Sequence, residues 1–270
     1  MPVRLETLGQ SLDCGQCFRW KKLPDGSWEG AAGPHFARFT AKNLDRALAG
    51  GFWRNYFDLG RDYDAIRESL CALDPVLARA ARYAPDLRIL NQDPWEALCS
   101  FLLSQCNNIG RIKGLIGRLC RAYGEDRGGF RSFPPPEALA RLSEADLRAL
   151  GCGYRAAYVL DAARRVSDGR LDFGLLRRLP LAEARRILMR TAGVGPKVAD
   201  CALLYGLHRL EAFPTDVWMK RAMKTLFPGK KPEDFGPYAG IAQQYVFHYS
   251  RHHPGLFRRG TPAGGGPKSG

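Results

Sequence analysis

The sequence predicts an α+β fold, a small N-terminal antiparallel sheet module followed by a larger, mainly α-helical body. Three observations carry this. Short aromatic and β-branched runs alternate with turn signals up to about residue 40. From about Asn43 onward apolar residues recur at threes and fours, as in Leu98, Phe101 and Leu102, or Ile112, Leu115, Ile116 and Leu119. Glycine, proline and asparagine breaks then divide the helical stretch into segments of ordinary length.

Taken in order, Gln16-Cys-Phe-Arg-Trp20, Ser27-Trp28 and Phe36-Ala-Arg-Phe-Thr40 are the strand candidates, with Pro24-Asp-Gly26 as a turn between the first two. Helix breaks are expected at Asn107-Asn108, Pro134-Pro-Pro136, Gly151-Cys-Gly153 and Pro228-Gly229. Ser143-x-x-Asp146 predicts a helix start of the capping-box type, and Gly151 the stop of that helix. The module is expected over residues 1–85 and the helical body over 86–258. The closing segment 259–270, rich in glycine with nothing to pack, is expected to be a disordered tail.

A chain of 270 residues that is 45% hydrophobic can bury a full core. Its 41 Lys and Arg against 27 Asp and Glu leave a formal charge of +14, which favours a polyanionic partner, although a merely basic soluble protein would show the same excess. No run approaches the roughly 18 apolar residues of a membrane span, and Met1–Gln10 lacks the apolar core of a signal peptide. The expected location is the cytoplasm of a bacterium or archaeon, on its nucleoid, or a eukaryotic nucleus. The eight cysteines, at 14, 17, 71, 99, 106, 120, 152 and 201, have no repeating spacing. Only Cys14 and Cys17 form a C-x-x-C, so reduced thiols are expected, with no metal and no cofactor.

The most informative segment is 181–207: an apolar helical run, the turn Gly193-Val194-Gly195, then Pro196 opening a second helical run. Glycines allow a tight turn with exposed backbone, Val194 can tuck inward, and Pro196 suits a first helical turn. Backbone amides at the second helix's start would then suit a phosphate. From these residues alone, an ordinary αα-hairpin with a glycine turn is the favoured reading.

The stretch Thr191-Ala-Gly-Val-Gly-Pro-Lys-Val-Ala-Asp-Cys201 resembles the signature of the helix-hairpin-helix DNA glycosylase superfamily, with Ala192 in place of a usual proline. The resemblance implies that Lys197 is the nucleophile of a glycosylase/lyase and that Asp216, in Phe213-Pro-Thr-Asp-Val217, is its carboxylate partner. The chemistry explains why both are needed. A free lysine of pKa about 10.4 is unprotonated at pH 7 in only roughly one molecule in two thousand, so burial and a helix N-terminus are expected to assist the amine. A carboxylate can stabilise the oxocarbenium-like charge as a glycosidic bond breaks. Taken singly, Lys197 reads as a surface charge and Asp216 as an N-cap of the helix that follows.

The resemblance narrows to the 8-oxoguanine DNA glycosylases of eukaryotic type and their bacterial relatives. Leu12-Asp-Cys-Gly-Gln-Cys-Phe-Arg-Trp20 matches that branch's N-terminal signature and implies that the Gly15 carbonyl accepts the N7 hydrogen of the oxidised base. Gly236-Pro-Tyr-Ala-Gly-Ile-Ala-Gln-Gln-Tyr-Val-Phe247 resembles its base-pocket helix, where Gln243 would bond the base edge and Phe247 stack on it. Without the match, these two read as a solvated polar residue and a core aromatic. Cys201 joins the implied base pocket. Arg111 and Arg155 are implied to address the orphaned cytosine, with Asn107 beside them and Tyr154 as the wedge. Two positions depart from the family pattern: Cys106 replaces an asparagine, and Trp218 a histidine that commonly contacts phosphate.

The implied partner is double-stranded DNA containing oxidised guanine, approached by a monomer without a membrane. A glycosylase of the same fold with another substrate remains open, as does a noncatalytic DNA-binding module. An iron–sulfur relative is disfavoured because no cysteine follows Cys201.

Overall fold

Glycine at position 30 lets the first two strands close on a tryptophan. The computed structural model describes residues 3–257. A 3-10 turn at Leu5–Thr7 and helix α1 (Gly9–Leu12) lead into β1 (Trp20–Lys22), β2 (Trp28–Ala32) and β3 (His35–Phe39). The strands form one antiparallel sheet in the order β1-β2-β3, with Trp20 opposite Gly30 and Trp28 opposite Phe39. A Cβ on Gly30 would lie 2.5 Å from the Trp20 ring, so no larger residue fits there. Trp20 stacks on Phe39 at 5.4 Å, and its indole N–H donates to the Tyr56 hydroxyl at 3.0 Å. Helices α2 (Leu44–Leu48) and α3 (Gly51–Tyr56) close this small core.

The sheet is shorter than the sequence suggests. Of the run Gln16–Trp20 only Trp20 pairs in the sheet. Gln16 is buried, donates to the carbonyls of Ser11 (2.9 Å) and Arg88 (2.8 Å), and accepts from the Leu90 amide (2.9 Å). These bonds hold residues 14–19 as irregular backbone against the helical body.

The helical body is reached through α4 (Tyr63–Leu73) and α5 (Pro75–Tyr83), which share its apolar core. Then come α6 (Pro94–Leu103), α7 (Ile109–Tyr123), α8 (Pro136–Ala140), α9 (Glu144–Ala149), α10 (Arg155–Ser167), α11 (Phe173–Arg178), α12 (Leu181–Leu188) and α13 (Pro196–Cys201). A π-helical segment Ala202–Gly206 continues α13. Helices α14 (Val217–Leu226) and α15 (Ala239–His252) complete the body, with 3-10 turns at Pro232–Tyr238 and Pro254–Phe257.

Helix α6 is apolar nearly all round and is accordingly the central helix, buried from Ala97 to Leu103. It packs against α7, α10, α13 and the π-helical segment. Local signals act as expected: Ser143 and Asp146 form a reciprocal capping box on α9, and Gly151 follows that helix at φ +88°. Asn108 caps α7 by accepting from the Arg111 amide at 2.9 Å. The expected tail at 259–270 lies outside the described residues. Among the described residues no helix is long and apolar enough to cross a membrane.

Candidate active site

The turn between α12 and α13 owes its shape to Gly193, whose φ is +75°. A Cβ there would sit 2.3 Å from the Tyr158 ring, so glycine lets the hairpin press against α10. Gly195 differs: it is the N-cap of α13 at φ −89°, and a Cβ on it would meet nothing within 4 Å. Val194 is buried between them. The turn is braced from two sides, by the Gln105 amide donating to the Gly193 carbonyl (3.1 Å) and by the Ala192 amide donating to Asp161 (2.8 Å). The first intrahelical bond of α13 runs from Ala199 N to Gly195 O, which leaves the Lys197 and Val198 amides at an open helix start. An open cup of about 530 Å³ lies over this turn, with Arg165 and Arg190 at its rim.

Lys197 is the second residue of α13 and is half-buried. Its Nζ donates to the Ser104 hydroxyl at 3.4 Å and stands 4.9 Å from the centre of the Phe101 ring. Ser104 passes its own proton to the Phe101 carbonyl at 2.8 Å, so a lone pair faces the lysine. One turn along α13, Cys201 is fully buried; burial pushes its thiol up to about 11, while the Lys197 ammonium pulls the other way and Asp216 adds to the rise.

Asp216 is the N-cap of α14, accepting from the Met219 amide at 2.7 Å through Oδ1. The capping reading of this residue is therefore satisfied. It is also compatible with chemistry, because the cap bond engages one oxygen and orients the other.

The opposite wall joins the two ends of the chain. Gly15 adopts φ +88°, and a Cβ on it would lie 3.6 Å from the Phe247 ring. Phe247 is half-buried on α15, with the Arg251 guanidinium 5.4 Å from its ring centre. Gln243 is not the solvated residue that its type suggests: it is 3% exposed, and its buried Oε1 has no hydrogen-bond partner. The neighbouring Gln244 is fully buried, donates to the Cys14 carbonyl at 3.1 Å and accepts from the Tyr205 hydroxyl at 2.5 Å. A cleft of about 170 Å³ opens beside Phe247, with Cys14, Ile109 and Arg251 in its lining.

The wedge candidates lie along the α6–α7 turn and the start of α10. Tyr154 is 46% exposed, with the Arg155 guanidinium 4.4 Å from its ring centre. The neighbouring Cys106 side chain raises the Tyr154 hydroxyl above its ordinary pKa. Arg155 is buried, and its guanidinium donates to the Gln105 carbonyl (Nε at 2.7 Å, with Nη2 also in contact) and to the Cys106 carbonyl at 3.2 Å. In this structure it therefore braces the turn. Asn107 likewise turns its amide onto the Leu103 carbonyl at 3.0 Å. Arg111 is exposed on the first turn of α7. Cys106 is exposed in the left-handed region, at φ +50°. The indole of Trp218 turns inward, to Ser250 at 2.8 Å.

Sequence reasoning missed Phe101 and Ser104 beneath Lys197, and Gln244 with Tyr205 behind Gly15. The partners of these residues lie too far along the chain for any spacing to link them. It also missed Val217, an apolar side chain 85% exposed next to Asp216; its position between a cap and a tryptophan was the available signal.

Residues 3–98 match the family described as 8-oxoguanine DNA glycosylase, N-terminal domain, and residues 99–234 match the HhH-GPD superfamily of base excision DNA repair proteins. An N-glycosylase/DNA lyase of Saccharomyces cerevisiae is 38% identical over 161 residues, covering 53% of this chain and 43% of its own length, so the chain spans under half of that relative. The corresponding Arabidopsis thaliana N-glycosylase/DNA lyase is 32% identical over 279 residues, covering 89% of this chain and 76% of its own. Among solved structures, the Clostridium acetobutylicum 8-oxoguanine glycosylase/lyase, bound to double-stranded DNA with cytosine opposite 8-oxoguanine, superposes with a TM-score of 0.83. The two chains are 33% identical, and the match covers 93% of this chain and 94% of that one.

Proposed function

Since the chain belongs to the HhH-GPD superfamily of base excision DNA repair proteins and carries the 8-oxoguanine glycosylase N-terminal domain, we propose that it is a DNA N-glycosylase and AP lyase that excises 8-oxoguanine from duplex DNA. The observation that carries this reading is the placement of Lys197 in the open first turn of α13, directly after the Gly193 turn, with Cys201 buried one turn along the same helix.

In the proposed reaction the unprotonated Lys197 amine forms a bond to C1′ of the flipped nucleotide as the bond from C1′ to the base breaks. The electron pair leaves with the base, which takes up a proton. Asp216 faces the positive charge that develops on the sugar, where a fixed carboxylate is most effective. The sugar ring opens to a Schiff base; loss of a C2′ proton then expels the 3′ phosphate, which is β-elimination. In this reading the Gly15 carbonyl accepts the N7 hydrogen found in 8-oxoguanine and absent from guanine. Gln243, with an unpartnered acceptor, suits the base edge, Phe247 supplies the stacking face and Cys201 a neutral thiol in the same pocket.

The α12–α13 turn, with Gly193, Val194 and Gly195, holds a DNA phosphate on the open helix start. Arg111, Tyr154, Arg155 and Asn107 form the side that faces the orphaned cytosine, Tyr154 and Arg111 by contact, Arg155 and Asn107 by shaping the turn. The protein acts as a monomer in the compartment that holds the DNA.

The test is incubation with a duplex containing 8-oxoguanine opposite cytosine, followed by borohydride reduction. The expected result is a trapped covalent adduct. Lys197→Gln is expected to retain DNA binding and lose the adduct, and near-normal trapping by that variant would refute the assignment.

A further inference from the structure

Trp218 stands two residues after the carboxylate that caps α14, yet its indole faces away from the open side of the molecule. Its Nε1–H donates to the Ser250 hydroxyl on α15 at 2.8 Å, and Ser250 donates onward to the Phe247 carbonyl at 3.3 Å. Ser250 is fully buried. A serine hydroxyl has one proton to give and lone pairs to fill, and these two bonds use both capacities where water has no access.

The same turn of α14 grips the end of the described chain. Trp218 meets the Phe257 ring edge-on at 5.2 Å, while Arg221, one turn later, donates to the Phe257 carbonyl at 3.0 Å and covers its ring. Helix α14 is thereby fixed to α15 through side chains within one turn of Asp216.

We propose that Trp218 is a positioning residue: its indole N–H, acting through the Ser250 hydroxyl, locks α15 against α14 and so sets the Phe247 stacking ring relative to the Asp216 carboxylate. This rests on the assignment of those two residues to base excision. A histidine at this position would be a candidate phosphate ligand. Tryptophan here serves as an internal strut, and phosphate contact falls to other residues.

The strut matters only when a base must be seated against Phe247. An abasic site has no base to stack, so the two steps separate. For Trp218→Phe, single-turnover excision of 8-oxoguanine is expected to fall about tenfold, since small misplacement of reacting groups is costly. Strand cleavage at a preformed abasic site is expected to stay within about twofold of the unsubstituted protein. Ser250→Ala, which keeps the indole in place, should give the same split, and provides the readout if Trp218→Phe does not fold. The double variant should be no slower than the slower single one, because both remove one connection.

Equal loss of both steps, additive losses, or unchanged excision would each overturn the strut. If the unsubstituted protein excises no 8-oxoguanine at all, the base-excision reading fails first, and that outcome is distinct from an active protein whose Trp218 variant is unaffected.

Discussion

The two walls of the cleft are built in opposite ways. The hairpin wall, from α12 to the start of α14, comes from one continuous stretch in which a turn, a helix start and a cap follow one another between Gly193 and Asp216. The base wall joins residues 230 positions apart, since Gln244 on α15 holds the Cys14 carbonyl next to Gly15. Local backbone preference shapes the first; long-range burial of polar groups shapes the second. If the base wall reads the lesion as proposed, its discrimination comes from the tertiary fold, so damage to the fold and loss of selectivity should travel together there. On the hairpin side the two should be separable.

The sharpest way to break this contrast is Gln244→Met, which keeps the volume and removes both hydrogen bonds. The Tyr205 hydroxyl and Cys14 carbonyl would be left buried and unsatisfied, a loss of about 4 kcal/mol from two such groups. Urea denaturation should show that loss, and preference for 8-oxoguanine over guanine should fall with it as Gly15 loses its anchor. Stability within about 1 kcal/mol of the parent, with selectivity intact, would mean that Gly15 keeps its place without the Gln244 bond.

Next in size is a pair on the hairpin. Gly193→Ala combines a left-handed φ of +75° with a Cβ placed 2.3 Å from the Tyr158 ring, and should cost about 3 kcal/mol of stability. Gly195→Ala has ordinary φ and open space, so stability should stay within about 0.5 kcal/mol of the parent. Its methyl group would project into the cup proposed to take a phosphate, and affinity for undamaged duplex should drop. Equal stability losses in the two variants, or unchanged affinity for Gly195→Ala, would erase the division of labour between the glycines.

What could be read from the sequence follows the same division. The α9 capping box, the change to helical periodicity near Asn43, the hairpin turn and the cap at Asp216 all depend on residues a few positions apart, and patterns of that range are visible in a linear string. The irregular run before β1 is different, because Gln16 is committed to Arg88 and Leu90, 72 and 74 residues away. The floor under Lys197 is hidden for the same reason: Ser104 lies 93 residues upstream, and Phe101 looks like any apolar residue of a core helix. The roles proposed for Gly15 and Phe247 rest on likeness to a family, which stands in for the tertiary contact that no local rule encodes.

The smallest effect tests the turn between α6 and α7, which belongs to neither wall and braces the hairpin through Gln105. Cys106 holds φ +50° there, a region that asparagine enters more readily than cysteine because its short amide bonds locally. Cys106→Asn should therefore stabilise the protein by about 0.5 kcal/mol, provided that the backbone alone decides. The opposing influence is the interaction of the Cys106 side chain with the neighbouring Tyr154 hydroxyl. An exposed thiol bonds weakly, so the backbone should win, and the urea midpoint should rise with the slope of the transition unchanged. A fall in the midpoint would show that the thiol fixes Tyr154 before DNA arrives. The turn would then be part of the recognition surface held by side-chain contact, as Gly15 is.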